Sequence, residues 1–161
     1  MKIAVVYYSL EGNTKFAAEK IAERLGADPI ELKCVKAFPT GKVGKFFWGG
    51  KSVAFGEKPE LMPYGFNADD YDVVVIGSPV WASKYASPLK TFFAENDISG
   101  KRLGFFVCSA GGKTDKCFAE MKRGAKQEGA ATLSLIDPLK KQTPENDAKI
   151  DKFCERLKEA L

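Results

Sequence analysis

The sequence predicts a three-layer, doubly wound α/β fold built on a five-stranded parallel sheet. Three observations carry that expectation. Short, nearly continuous apolar runs recur along 161 residues, as strands buried on both faces require. Segments with helical apolar spacing separate them, so the strands run parallel through right-handed crossovers. The turns that follow three of the runs are rich in Ser, Gly, Asn and Thr. The length suits one domain, 1–161, able to build a core without disulfide or metal staples.

The elements follow in order. K-I-A-V-V-Y-Y at the N-terminus is a buried strand, and S-L-E-G-N-T a polar turn. Residues 15–25 carry Phe16, Ala17, Ile21, Ala22 and Leu25 at helical spacing, and Gly26 stands where that helix stops. P-I-E-L-K-C-V alternates, which places it near a sheet edge. Residues 36–66 break the pattern with Gly41, Gly44, Gly49, Gly50, Gly56, Gly65, Pro39, Pro59 and Pro63 around Phe46, Phe47, Trp48 and Phe55. The spacing admits a short helix over 43–55, although its glycines make it a poor autonomous one.

Y-D-V-V-V-I-G is the third strand and S-P-V-W-A-S-K-Y a loop. A helix over 87–95 has Pro88 in its first turn. Residues 102–109 form the fourth strand, followed by the glycine turn A-G-G-K-T. A helix over 115–128 ends at Gly129, and A-T-L-S-L-I-D is the last strand. Residues 145–161 close the chain as a helix with Thr143 as cap and Pro144 as first residue.

Composition removes whole classes of chemistry. The chain has no His, so it has no Ser-His or Cys-His nucleophile pair, no His general base and no His metal site. Cys34, Cys108, Cys117 and Cys154 form no C-x-x-C pair, which leaves zinc and thioredoxin-like readings without their spacing. With no secretory pattern and no apolar run near the ~20 residues of a membrane span, a cytoplasmic protein with reduced thiols and no membrane partner is expected. The net charge is +4. The first 80 residues hold 10 basic and 10 acidic side chains, and the remainder 15 and 11. The excess lysines are scattered and lack aromatic interleaving, so they read as solvated surface and no nucleic-acid partner is expected.

In such folds, ligands bind at the carboxyl ends of the strands, where strand order reverses. Three loops are therefore candidates: 9–14, 78–83 and 109–114. The first enters a helix N-terminus, where free N–H groups and the dipole favour an anion. Ser9, Asn13 and Thr14 can add donors there, and Gly12 permits close approach; ordinary capping by Asn13 or Thr14 explains the same residues. G-x-G-x-x-G is absent after the first strand. G-G-K-S at 49–52 and G-G-K-T at 111–114 fail as P-loops, because Lys45 and Val107 stand where the leading glycine belongs. Trp81 in the second loop is expected to be partly exposed and able to stack on a flat ligand, the alternative being a core residue. Gly111 and Gly112 offer N–H groups to a ring edge, or simply make a tight turn. Cys108 and Cys117 read as buried small hydrophobes.

These three motifs resemble the flavodoxin-like family. Y-S-L-E-G-N-T at 8–14 is similar to its phosphate loop. G-S-P-V-W-A at 77–82 looks like the ring loop of the branch with a Pro-Val-Trp signature, and S-A-G-G at 109–112 resembles its third loop. The resemblance implies strand order 2-1-3-4-5 and one non-covalent FMN. The phosphate would sit on Ser9, Leu10, Glu11, Gly12, Asn13 and Thr14. The ring would lie between Pro79, Val80, Trp81, Ala82 and Ser83 on one side and Ser109, Ala110, Gly111 and Gly112 on the other. No catalytic side chain and no metal are expected.

Three features depart from that family. Glu11 replaces a hydroxyl residue and is expected to point to solvent. Lys113 follows the Gly pair where an aromatic often covers the second ring face, for which Trp48 and Phe47 are candidates. The chain is basic where electron shuttles are acidic, and Lys84 and Lys113 would favour a reduced, anionic flavin and a less negative potential. The resemblance implies an electron carrier between redox partner proteins. The alternative is an NAD(P)H-dependent reductase of flavins or quinones, as a monomer or homodimer.

Overall fold

The computed structural model describes residues 1–40, 50–52 and 56–159. Strand β1 (Ile3–Tyr7) leads into helix α1 (Asn13–Leu25) and edge strand β2 (Asp28–Glu31). After a long connection and a 3-10 turn at Ala68–Asp70 come β3 (Val73–Trp81), β4 (Lys84–Tyr85), α2 (Ser87–Glu95) and β5 (Arg102–Ser109). Helix α3 (Asp115–Ala125), β6 (Ala131–Ile136) and α4 (Pro144–Lys158) complete the chain.

The sheet runs β2-β1-β3-β5-β6, all parallel, with short β4 antiparallel to β3. The five long strands therefore take the expected order, reversing between β1 and β3. Strand alternation feeds two cores. Ala4, Val6, Val74, Ile76, Phe105 and Val107 face one side with Leu89 and Phe92 of α2 and Met121 of α3. Ile3, Val5, Val73, Val75 and Phe106 face the other, against Ala17 and Ile21 of α1 and Ile150 and Phe153 of α4. Within β3, position 77 is glycine because a Cβ there would lie 2.0 Å from the Phe106 ring.

Helix ends follow the expected chemistry. Gly26 caps α1 in the left-handed region at φ 61°, and the Thr143 hydroxyl accepts from the Asn146 N–H at the start of α4. Three boundaries differ. Strand β2 stops at Glu31, short of the expected Val35, and Cys34 keeps only an isolated bridge to Leu61. Helix α3 stops at Ala125, with Lys126 in the left-handed conformation at φ 55°. The stretch expected as the loop S-P-V-W-A-S-K-Y is a hairpin: β3 continues through Trp81, and Ala82 (φ 47°) and Ser83 (φ 64°) turn it into β4. Positive φ at both central positions is the primed turn that matches strand twist, reached here without glycine.

The glycine- and proline-rich connection closes on itself. Val35 N–H donates to the Glu60 carbonyl and Met62 N–H to the Lys33 carbonyl. Helix α2 clamps it: the Thr91 hydroxyl donates to the Pro59 carbonyl (2.6 Å) and Lys90 Nζ to the Gly56 carbonyl (3.0 Å). Phe46, Phe47, Trp48 and Phe55, and the expected helix over 43–55 apart from 50–52, lie outside the described residues.

Candidate functional site

The carboxyl ends of β1, β3 and β5 converge on a cavity of about 110 Å³ at the point where strand order reverses. Ser9, Leu10, Glu11, Asn13, Thr14, Pro79, Val80, Trp81, Ser109 and Ala110 line it, joined by Cys108 and Asp137. Ten of the residues expected from sequence are thus brought together. Gly12, Ala82, Ser83, Gly111 and Gly112 lie on the same three segments but outside the wall.

The turn after β1 is shaped by Gly12, at φ 102°, whose N–H donates to Ser9 Oγ at 3.2 Å. A Cβ at Gly12 would stand 3.2 Å from Leu139 Cδ2. Among the described residues no side chain caps α1. Capping by Asn13 or Thr14 is therefore not what these residues do: Asn13 Oδ1 accepts from the Leu139 N–H at 3.0 Å, and Thr14 is buried. Asn13 and Thr14, the first two residues of α1, line the cavity, at the end of the helix where unpaired N–H groups and the dipole favour an anion.

Cys108 supports this loop from below, its Sγ donating to the Asn13 carbonyl at 3.7 Å. Burial pushes its thiol up to about 12, with a smaller opposing pull from a hydrogen bond to Thr14, so the thiol stays protonated. Ser109, at the end of β5, has a buried hydroxyl oxygen with no hydrogen-bond partner among the described residues. Asp137 follows β6 with φ 41°, its N–H donating to the Ser109 carbonyl at 2.9 Å. Sequence reasoning missed Asp137, although the strand-end rule that found the other loops points equally to the end of β6.

Trp81 corrects an expectation. Its indole is only 7% exposed, so it is a core residue. It packs edge-on against Tyr8 (5.6 Å between ring centres) and Phe38 (5.2 Å), contributing to the cavity wall rather than presenting an open face. Burial raises the Tyr8 phenol above its ordinary range, with a smaller contribution from Cys34, so this cluster is uncharged at neutral pH. Glu11 is exposed, as expected, while also bordering the cavity. Lys113 is exposed beyond the Gly pair, and Lys84 is half-buried beside the β3–β4 turn.

A family model described as flavodoxin matches residues 2–137. No curated protein sequence matches the chain. Among solved structures, a flavoprotein from Lactobacillus acidophilus in complex with FMN superposes with a TM-score of 0.75 at 23% identity, over 94% of this chain and 97% of that one. A Bacteroides uniformis protein with a provisional flavoprotein assignment gives 0.81 at 19% identity, over 96% and 97%. Two-electron reduced flavodoxin from Megasphaera elsdenii gives 0.62 at 18%, over 98% and 99%. At these identities the superpositions speak for the fold alone: a parallel sheet flanked by helices. The sequence match extends over most of the chain, which belongs to the flavodoxin family.

The donor set suits FMN. A helix start with no side-chain cap and a wall hydroxyl, that of Ser109, without a partner among the described residues are the polar groups this cavity offers to a phosphate. The enclosed volume fits the phosphate end, since whole-ligand pockets span roughly 300–1,000 Å³.

Proposed function

We propose that this protein binds one non-covalent FMN and carries electrons between redox partner proteins. The observation that carries the reading is a single cavity at the strand-order reversal, with the uncapped start of α1 at one end and the unsatisfied Ser109 hydroxyl in its wall. The L. acidophilus structure, solved with FMN, supports the choice of cofactor.

Ser9, Leu10, Glu11, Gly12, Asn13 and Thr14 hold the phosphate, mainly through N–H groups of the first helical turn. Pro79, Val80, Trp81, Ala82 and Ser83 bound the ring on one side, and Ser109, Ala110, Gly111 and Gly112 on the other. FMN supplies reversible electron transfer when bound. The chain supplies position and field: neutral Trp81 and Tyr8, a protonated Cys108, and the positive charges of Lys84 and Lys113. A chain without histidine needs no acid or base of its own for that task.

Those same lysines favour a second reading, an NAD(P)H-dependent reductase, because they would meet a phosphate-bearing nicotinamide nucleotide. Anaerobic mixing of the FMN-loaded protein with NADPH separates the two. No bleaching without an added partner reductase is expected for a carrier. Rapid bleaching by NADPH alone would identify a reductase.

A further inference from the structure

The sheet has two edges, and only one of them is guarded. Strand β2 is four residues long and carries Asp28, Pro29 and Glu31. Shortness, charge and proline are what keep an edge strand from pairing with another chain. Strand β6, at the opposite edge, reads A-T-L-S-L-I, six residues with no charge and no proline. Its ladder runs to β5, and the N–H groups of Ala130 and Asp137 that flank it also donate to β5. The outer row of β6 N–H and C=O groups has no partner among the described residues.

One face of β6 is bare as well. Ala131, Leu133 and Leu135 point into the core shared with α4. Thr132, Ser134 and Ile136 alternate to the α3 side, where an open groove of about 950 Å³ separates α3 from Thr132. Ile136 is 42% exposed, and Leu139 just beyond it 40%. Along this groove α3 shows Asp115, Ala119, Lys122 and Lys126, which share one helical face. Lys122 is held by Glu128 at 2.7 Å, whereas Asp115 and Lys126 form no ion pair among the described residues. The stripe is acidic at the start of α3 and basic at its end, so it complements itself run backwards.

We propose that the β6 edge is a self-association surface, on which a second copy of this chain adds its own β6 antiparallel across a two-fold axis. With the axis at Ser134, Thr132 meets the partner's Ile136, Leu133 meets the partner's Leu135, and the two Ser134 residues face each other. The sheet then runs unbroken through both chains, and each exposed Ile136 is covered. The two α3 helices lie antiparallel beside the joined strands, which brings each Asp115 toward the basic end of the other helix. Such an isologous contact closes on itself and stops at the dimer. Any extended segment could pair with the bare backbone, but a second copy also brings the reversed charge stripe. The proposal is independent of the flavin reading, since the cavity opens at the ends of β1, β3 and β5.

The test is sedimentation equilibrium of the full chain, with and without FMN. A monomer–dimer equilibrium is expected in both cases. Ser134→Lys sets two ammonium groups opposite each other on the axis and should weaken the dimer roughly fivefold, as like charges across a strand pair do. Ser134→Glu should do the same. An equimolar mixture of the two variants should dimerise at least as well as the wild type, which also shows that both are folded. A wild-type chain that stays monomeric at submillimolar concentration would leave this edge to a different partner and overturn the proposal. Wild-type association by Ser134→Lys, or a mixture that fails to reassociate, would overturn it too.

Discussion

Removing the Ser109 hydroxyl should have opposite effects on the empty and the flavin-loaded protein. Its oxygen is buried and has no partner among the described residues, so the empty protein bears the desolvation cost of a hydroxyl that makes no bond. That cost is about 1–3 kcal/mol. Ser109→Ala removes it and leaves a void of only one oxygen atom. The empty protein should therefore gain about 1 kcal/mol, seen as a melting point about 2–4 °C higher for a chain of this size. If FMN supplies the missing partner, the variant loses that bond in the complex. A neutral hydrogen bond nets about 0.5–1.5 kcal/mol, which corresponds to roughly two- to tenfold weaker FMN binding. Urea denaturation without flavin and fluorescence titration with FMN measure the two effects. A less stable empty protein combined with unchanged FMN affinity would refute the reasoning, because Ser109 would then be a structural hydroxyl.

Four further outcomes are expected. Replacing Ala82-Ser83 by Asn-Gly relieves two non-glycine residues at φ 47° and 64° and should raise stability by about 1–2 kcal/mol in urea denaturation. Gly12→Ala, strained at φ 102° and crowded by Leu139, should cost about 1–2 kcal/mol and weaken FMN binding in the same titration. Cys108 and Cys117 are held at about 12 by burial, against an ordinary 9. The unfolded thiols ionise from pH 9 while the folded ones keep their protons, so stability is intact below pH 9 and declines toward pH 12. Each thiol contributes roughly 1.4 kcal/mol per pH unit in that window, and a urea midpoint unchanged to pH 11 would contradict this. Converting both Lys84 and Lys113 to Glu should lower the flavin potential by on the order of tens of millivolts in spectroelectrochemical titration.

Much of this architecture was legible from periodicity. The strand at 102–109 and the helix at 87–95 lie where the apolar pattern put them. The alternation of P-I-E-L-K-C-V marked β2 as an edge strand, which it is, although the strand itself ends at Glu31. The strand-end rule assembled the cavity from three distant loops. What escaped was decided by tertiary packing. Nothing local says that β3 continues through Trp81, because Ala82 and Ser83 carry no glycine signal for their turn. Nothing local says that Tyr8 and Phe38 bury Trp81, since those partners lie 73 and 43 positions away in the chain. Gly12 was legible as a tight-turn residue, yet the Leu139 contact that also demands glycine comes from the far end of the chain.

The central claim is that an uncapped helix start and an unsatisfied serine form one FMN site. It is tested most directly by titrating the flavin-free protein with FMN and with riboflavin, following flavin fluorescence. One FMN per chain, bound at least tenfold more tightly than riboflavin and displaced by inorganic phosphate, is the predicted result. Equal affinity for the two flavins, or binding of neither, would contradict a phosphate held by the first turn of α1.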